Sequence, residues 1–221
     1  MTMDFSAVWN VRWLLWDSFL TTLLLSSIAV VVGTAVGAIV AALRVAKIRA
    51  LNALLRLYVE IFRGTPLLMQ LFFIYFGLPM LGVDVDRFWA AFIAISLYSG
   101  AYVAEVLRSG VDAIPKGQTE AAEALGLSFW HRLVYIVTPQ TLRLSLPALV
   151  GVYVAVIKDT SLATVIGYNE LMRRTMELLL QYGRPFEFFI TVGVLYFIIC
   201  YPLSKLSEHL ERRIGRNRAE A

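Results

Sequence analysis

The sequence predicts an all-α integral membrane protein with five transmembrane helices, and three observations support that class. Hydrophobic residues make up 59% of the 221 residues, whereas charged residues make up only 16%. The mean hydropathy is +0.70, while a soluble domain is nearer half apolar and a quarter charged. Long apolar runs alternate with short polar segments. A chain of this length has room for a handful of spans and no large soluble domain, so residues 1–221 are predicted to form one domain.

The first span is predicted at residues 18–43, which contain no charged residue. At about 1.5 Å per residue, this run crosses a hydrocarbon core of about 30 Å. Before it, residues 5–16 form an aromatic, amphipathic segment that is typical of the membrane interface. Gly33 and Gly37 permit close approach of another helix, and we favour packing within the chain over a dimer contact.

The second predicted span, residues 54–80, is unusual because it carries charges and a break. Glu60 and Arg63 precede Gly64-Thr65-Pro66, where the proline interrupts the helical hydrogen bonds and the span must bend. Arg63, beside the bend, is predicted to line a translocation pathway through the membrane. Gln70 is a second candidate for that lining, although it serves equally well as a packing residue with one satisfied polar tip. The same two interpretations apply to Tyr75 and Tyr98.

Three more spans are predicted, at residues 88–107, 144–169 and 188–204. At the end of the third, Glu105 and Arg108 are neighbours on one helical face, which predicts a surface ion pair of small energetic value. The segment between the fourth and fifth spans is predicted to be a loop with the charged residues Arg173, Arg174, Glu177 and Arg184.

The polar segment at residues 113–140 predicts an elbow of two helices. The first helix starts near Thr119 and stops at Gly126, because glycine readily adopts the positive φ required just past a helix end. Ser128 then caps a second helix by accepting a backbone N–H bond. That second helix must end or kink around Pro139.

The first helix of this elbow is either a solvated face or a docking site for another protein. Glu120 and Glu123 are spaced to lie on one side of it, where they can meet basic partners. The small residues Ala121, Ala122 and Ala124 let a partner approach closely. We favour docking, because small residues surround a capped and rigid helix.

The distribution of basic residues predicts the orientation in the membrane. Cytoplasmic loops carry the excess of Lys and Arg, which places the elbow and the C-terminus inside and the N-terminus outside. The net charge of +4 is therefore an orientation signal, and no nucleic-acid partner is predicted. The basic residues assigned to the cytoplasmic side are Arg44, Lys47, Arg49, Arg56, Arg108, Lys116, Arg132, Arg143, Lys205, Arg212, Arg213, Arg216 and Arg218, against Arg12, Arg87, Arg173, Arg174 and Arg184 on the other.

Several functional classes find no support in the sequence. The single cysteine, Cys200, excludes an internal disulfide or a thiolate metal site. His131 and His209 are far apart in sequence, so no metal centre is predicted, and no Ser-His-Asp set can form at membrane depth. No nucleotide-binding loop of the form G-x-x-x-x-G-K-[ST] occurs. We therefore expect no enzymatic site and no cofactor in this chain, and another subunit must supply any energy.

Lys158 and Asp159, in the fourth span, are the residues of greatest functional interest. An ionisable residue inside a membrane costs roughly 2.5–3.5 kcal/mol on insertion scales, so it usually faces a cavity or a partner. Adjacent helical residues do not face each other, so the two charges cannot simply neutralise one another. A zwitterionic ligand would satisfy both, with its carboxylate on Lys158 and its ammonium on Asp159, and the hydroxyls of Thr160 and Ser161 would complete the site. An equally consistent alternative is a structural ion-pair network with Arg63 or Glu60.

Several segments resemble a known family. Glu120-Ala121-Ala122, followed by Gly126 and Thr138-Pro139, resembles the EAA loop of bacterial ABC importer permeases. The match covers nearly the whole chain from Thr21 onward. Three longer segments look like its polar amino acid permeases (histidine, glutamine, glutamate and arginine types): YVEIFRGTPLLMQLFFIYFGLP (58–79), AYVAEVLRSGVDAIPKGQTEAAEALGLS (101–128) and IKDTSLATVIG (157–167).

The resemblance implies a type I ABC importer permease fold in the bacterial cytoplasmic membrane. It further implies a second permease subunit, identical or homologous, and two cytoplasmic ATP-binding cassette subunits that hold ATP and magnesium. A periplasmic amino-acid-binding protein would deliver a polar or charged amino acid, and alternating access would move it across. By the same resemblance, ATPase coupling falls to Glu120, Ala121, Ala122, Glu123 and Gly126, and substrate binding to Lys158, Asp159, Thr160, Ser161, Arg63 and Gln70.

The chain departs from that family at one place. Many relatives carry Asn-Glu where this sequence has Gly151-Val152, so a carboxylate that could hold a cationic side chain is missing. Two other functional classes stay open. A stand-alone secondary transporter or channel is disfavoured by the long polar elbow and by the absence of a second inverted repeat. A membrane scaffold without transport is the third.

Overall fold

The computed structural model describes residues 4–45 and 48–219, with side chains up to residue 214. Every regular element in these ranges is helical, which confirms the predicted all-α class. Lys47 and the side chains of Arg216 and Arg218, which belong to the basic set used for the orientation, lie outside the described residues. The α-helices are α1 (Ser6–Asn10), α2 (Arg12–Val45), α3 (Arg49–Gly64), α4 (Leu67–Phe72), α5 (Arg87–Asp112), α6 (Lys116–Ala124), α7 (Phe129–His131), α8 (Thr138–Asp159), α9 (Leu171–Tyr182) and α10 (Pro185–Ala219).

Four helical stretches in the described ranges are long and apolar enough to cross a membrane: Arg12–Val45, Arg87–Asp112, Phe129–Ile166 and Pro185–Ile214. The second predicted span differs, because α3 and the helical run Leu67–Leu81 meet at 106°. This run continues α4 through a π-helix, Phe73–Gly77, and a 3₁₀-helix, Leu78–Leu81. If the bent pair is one span, the number of spans is five.

The N-terminal segment predicted as interfacial divides between two helices. Residues 6–10 form α1, and the rest belongs to the first turns of α2. Trp9, Trp13 and Trp16 are all exposed at this end of the molecule. Indole rings favour the membrane–water boundary, so the interfacial position stays a prediction for these residues.

Helices α2 and α5 form the centre of the bundle, and two glycines set their separation. A Cβ placed on Gly33 would lie 2.6 Å from the Ser99 hydroxyl oxygen, and one on Gly37 would lie 2.6 Å from Val103 Cβ. Both contacts are within the chain, so the close approach predicted for the first span joins two helices of one subunit.

We expect Gly37→Ala to destabilise the fold by about 1–3 kcal/mol, because the new methyl group also meets the Gly100 carbonyl oxygen at 2.7 Å and backbone cannot easily move away. The measurement is thermal unfolding of the purified protein. Gly193→Ala on α10 is the matched control, since nothing lies within 4 Å of its Cβ position. Equal stability of the two variants would contradict the tight α2–α5 contact.

The elbow is helical from Lys116, directly after Pro115, rather than from Thr119. Its end is as predicted: Gly126 has φ +77°, its N–H bonds Glu123 O at 2.9 Å, and Leu127 N–H bonds the Ala122 carbonyl at 3.1 Å. These two bonds satisfy carbonyls that a helix end leaves unpaired.

The second elbow helix was expected to end or kink around Pro139, and of these two the end is wrong. A π-helix, Arg132–Val137, joins α7 to α8, and Pro139 lies in the first turn of α8. The wider π turns change the hydrogen-bond pattern just before the proline, where its missing N–H is tolerated. The capping role of Ser128 holds, because its hydroxyl accepts the His131 N–H at 3.5 Å.

The loop predicted between the last two spans is also wrong, because residues 171–182 form the amphipathic helix α9. Glu170 caps it and is fully buried; its carboxylate accepts the N–H groups of Met172 at 2.8 Å and Arg173 at 2.7 Å. The hydroxyls of Thr164 and Tyr196 complete the set at 3.0 and 3.3 Å. The charged residues misled the sequence interpretation, since Arg173 and Arg174 both pair with Glu177 on the helix surface.

Candidate translocation site and coupling helix

A stripe of polar side chains runs along α5. Tyr98 and Tyr102 are one helical turn apart, with ring centroids 4.8 Å from each other. The Arg63 guanidinium of α3 lies 5.3 Å from the Tyr102 ring centroid, in a cation–π contact. Arg63 also approaches Glu105, with Nη1 3.7 Å from Oε1. The charged end of α3 therefore lies over Tyr102, one ring of the phenol pair of α5.

Glu105 is the centre of a larger ion cluster than the predicted surface pair. Arg108 donates Nε–H to Oε1 and Oε2 at 3.1 and 3.0 Å, and Nη2–H to Oε1 at 2.7 Å. Arg44 at the end of α2 lies 3.7 Å away. The Glu105 side chain is only 22% exposed, so this single carboxylate ties together the ends of α2, α3 and α5.

The cluster opens onto a cleft of about 630 Å³ between α5, α8 and α10. Arg63, Tyr102 and Glu105 line one side, and Gly151 of α8 lines the other. Nothing lies within 4 Å of the Gly151 Cβ position, so the glycine leaves open space there. The cleft is large enough for a small-molecule ligand.

Lys158 and Asp159 lie where α8 changes into a 3₁₀-helix, Thr160–Ile166. Lys158 is exposed and Asp159 is partly buried. In the described part of the chain neither side chain has an ion-pair partner within 4 Å; Lys158 is an electrostatic neighbour of Asp159, and Arg63 pairs with Glu105 instead. The structural network proposed as the alternative for this pair is therefore not seen among these residues.

The two hydroxyls that follow are turned toward the helix backbone. Thr160 Oγ1 donates to the Ile157 carbonyl and Ser161 Oγ to the Lys158 carbonyl, both at 2.7 Å. Each hydroxyl has given its hydrogen to a carbonyl, but its oxygen can still accept a bond from a ligand donor. Thr160 is fully buried, so Ser161 is the more accessible of the two.

Of the six residues predicted to bind substrate, Arg63 alone lines the cleft, and Asp159 is connected to it only through the two phenol rings. Asp159 is an electrostatic neighbour of Tyr98, whose ring adjoins Tyr102 and hence Arg63. A negative and a positive group thus flank a phenol pair. Tyr102 was missed from the sequence, although its spacing from Tyr98 puts both rings on one helical face.

Gln70 is engaged at the bend between α3 and α4. Its Nε2 donates to the Phe62 carbonyl at 3.0 Å, the Thr65 carbonyl at 3.2 Å and the Thr65 hydroxyl at 3.0 Å. The bond to the Phe62 carbonyl replaces the helical N–H that Pro66 lacks. Its Oε1 is buried without a hydrogen-bond partner and is therefore the one polar atom of Gln70 still free to accept a bond.

The helix assigned to ATPase coupling, α6, is largely exposed and lies at one end of the bundle. Glu120, Ala121 and Gly126 are exposed, while Ala122 is buried against the chain. Glu123 is held within the chain by an ion pair with Arg132 at 2.7 Å. Just after α6, Leu125 and Trp130 are 81% and 66% exposed. Large apolar surfaces of this kind often bind other proteins.

Comparison with known proteins identifies the family. A family described as "Binding-protein-dependent transport system inner membrane component" matches residues 33–216. The chain is 34% identical to the arginine transport system permease protein ArtQ of Bacillus subtilis, over 98% of this chain and 100% of that protein. It is 39% identical to the glutamine transport system permease protein GlnP of Escherichia coli K12, over 97% and 99%.

The fold is shared with solved transporters. The crystal structure of an amino acid ABC transporter with histidines superposes with a TM-score of 0.90 at 34% identity, over 96% of this chain and 100% of that one. The inward-facing methionine transporter MetNI shares the fold with a TM-score of 0.69 at 21% identity, over 96% and 99%. The curated relatives are named permease proteins, and the chain is accordingly a transport subunit and not itself an enzyme, as predicted. The chain belongs to the binding-protein-dependent transport system inner membrane components, as an amino-acid ABC transporter permease with the type I importer fold.

Proposed function

We propose that this chain forms part of the path for a polar amino acid in an ATP-driven importer of the bacterial cytoplasmic membrane. The single observation that carries this proposal is Asp159, a partly buried carboxylate without an ion-pair partner in the described ranges, in a chain of this family. A charge at membrane depth is stable only when something compensates it, and a substrate ammonium does so.

The proposed site places the ends of a zwitterion on opposite charges. Asp159 holds the ammonium, with the Ser161 and Thr160 oxygens as further acceptors. Lys158 or Arg63 takes the carboxylate, and Gln70 contributes through Oε1. Arg63 is the better placed of the two cations for a ligand in the cleft, because it lines that cleft beside Tyr102.

We propose that the side chain of the substrate is uncharged. Gly151 lines the cleft and offers no carboxylate, and Val152 packs among apolar residues. A cationic side chain would find no charge partner from these two positions. The carboxylates that do line the cleft are Glu105, which already pairs with three arginines, and Glu211 near the end of α10. Glutamine, the substrate named for the Escherichia coli relative, fits this environment better than arginine, which is named for the Bacillus subtilis one.

Coupling is proposed to run through α6. Its exposed surface offers Glu120, Ala121 and Gly126 to an ATP-binding cassette subunit, while the Glu123–Arg132 ion pair fixes it to the following helix. Movement of the ATPases would then be transmitted to α5 and α8, which line the cleft, and would alternate access between the two sides. The complex would hold two permease subunits, this chain twice or a homologue, two ATPases and a periplasmic amino-acid-binding protein.

The experiment is uptake in reconstituted vesicles that contain the permease with its ATPase and binding protein, using a panel of labelled amino acids. We expect uptake that requires ATP inside the vesicle and favours glutamine over arginine. Uptake driven by an ion gradient without the ATPase would instead support a secondary transporter. No uptake of any amino acid by the complete, ATP-hydrolysing complex would contradict the proposal.

A further inference from the structure

A second cleft, of about 420 Å³, lies between α8 and α10 at the end of the bundle that carries α6. Arg143 and Arg213 line it from opposite helices, together with the apolar side chains Leu146, Leu210 and Ile214. Ser207 of α10 donates to the Pro147 carbonyl of α8 at 2.8 Å. The residues that line the cleft follow Ser207 on α10 and precede Pro147 on α8. The cleft adjoins the larger one, since Ile214 lines both, but none of the residues assigned to transport or coupling lines it.

The two arginines of this cleft have no acidic partner among the side chains that the structure describes. The acids nearest in sequence on α10 are engaged or directed elsewhere: Glu208 pairs with Lys205 at 2.9 Å and Arg212 at 3.6 Å, and Glu211 lines the larger cleft. Two like charges facing one cleft repel each other unless an anion lies between them. The arrangement therefore calls for an anionic ligand.

The remaining walls indicate which anion. Leu146 is 43% exposed, and apolar walls do nothing for a free, hydrated phosphate. On α10, Leu206 is also exposed, and it lies one helical turn before Leu210 on the same face. A phospholipid satisfies both parts, with its phosphate between the guanidiniums and its acyl chains along the apolar surface. Basic pockets between helices on the cytoplasmic side of membrane proteins bind anionic headgroups in this way.

We propose that Arg143 and Arg213 form a binding site for the headgroup phosphate of an anionic phospholipid of the inner leaflet. Guanidiniums suit this ligand because their planar N–H groups pair with two phosphate oxygens at once. A bound lipid would hold the ends of α8 and α10 together beside the elbow. The site is independent of which amino acid is transported.

The test uses the assembled transporter in nanodiscs of phosphatidylcholine with increasing phosphatidylglycerol, read out by thermal unfolding and by the lipid retained in native mass spectrometry. We expect phosphatidylglycerol to raise the unfolding temperature and to be retained. Each basic residue near an anionic surface contributes about fivefold in affinity, so the double variant Arg143→Ala/Arg213→Ala should bind about 30-fold more weakly.

The matched control is Arg49→Ala/Arg56→Ala, two exposed arginines of α3 that line none of the described clefts. It should retain phosphatidylglycerol as the unchanged protein does. Leu146→Asn should weaken retention of the lipid, and inorganic phosphate alone should give no stabilisation. Equal loss in both double variants, stabilisation by inorganic phosphate alone, or loss of ATPase co-purification from Arg143→Ala/Arg213→Ala without change in lipid retention would each overturn the lipid site.

Discussion

Asp159→Asn is expected to lower amino acid uptake by about 100-fold at subsaturating substrate. The substitution keeps the size of the side chain but removes the charge that compensates a substrate ammonium, and loss of one partner of a desolvated ion pair costs about 3 kcal/mol or more. Because Asp159 is partly buried and has no ion-pair partner in the described chain, no other residue there is expected to replace it. The measurement is initial uptake rate in vesicles against substrate concentration, together with ATP hydrolysis.

Two outcomes separate a binding role from a structural one. A binding role predicts that insertion and ATPase assembly are unchanged in Asp159→Asn while uptake is lost. Asp84→Asn, the same chemical change at an exposed position before α5, is the control and should transport normally. Normal uptake by Asp159→Asn would remove this residue from the site, and loss of membrane insertion would assign it to folding.

Gly126→Val is expected to abolish most co-purification of the ATPase while membrane insertion stays normal. The φ of +77° at Gly126 is unfavourable for any side chain, by about 1–2 kcal/mol, and a β-branched side chain is among the worst. Valine would break the two hydrogen bonds that close α6 and would turn the exposed Glu120–Ala121 surface away from its partner. The measurement is the ratio of ATPase to permease after purification, with ATP-driven uptake as a second reading.

The same segment supplies a matched substitution. Gly117 lies inside α6, has an ordinary helical conformation and has nothing within 4 Å of its Cβ position. Gly117→Val should leave assembly intact, since valine has a higher helix propensity than glycine. If both valine variants bind the ATPase equally, the geometry at Gly126 does not matter for docking.

Most of the fold followed from local features of the sequence. The charge-free run at residues 18–43 lies wholly within α2, and Pro66 marks a bend of 106°. Gly126 ends α6 because only a positive φ closes that helix. In each case a property of one short segment determines the local structure, and contacts with other parts of the fold do not alter it.

The errors arose at two places where the backbone follows a course that residue types and spacing do not indicate. Residues 171–182 look like a charged loop, but the buried Glu170 caps a helix with help from Thr164 and from Tyr196 of α10. The elbow helix was expected to end or kink around Pro139, but it does not end there, because a preceding π-helix leads directly into α8. Neither the buried cap of α9 nor the π-helix can be read from the spacing of residues along the sequence.

The sequence points to individual candidate residues of the site, but it does not show which of them meet in space. Lys158 and Asp159 are conspicuous in sequence because charges are rare in apolar runs. Of the three arginines that pair with Glu105, the sequence predicted only Arg108, which is on the same helix. The other two, Arg44 and Arg63, come from two other helices. Tertiary packing decides which charges meet, and it assigned Arg63 to the cleft.

The central claim, that α6 transmits ATP-driven movement to the bundle, is tested most directly by a cross-link. The chain has one cysteine, Cys200, and it is buried, so a cysteine introduced at the exposed Ala121 can be addressed by itself. We predict that Ala121→Cys in the assembled transporter forms a cross-link to the ATP-binding subunit, with a yield that changes when ATP is bound. A cysteine that reacts with a membrane-impermeant reagent from the periplasm, or that forms no cross-link to that subunit, would contradict the account.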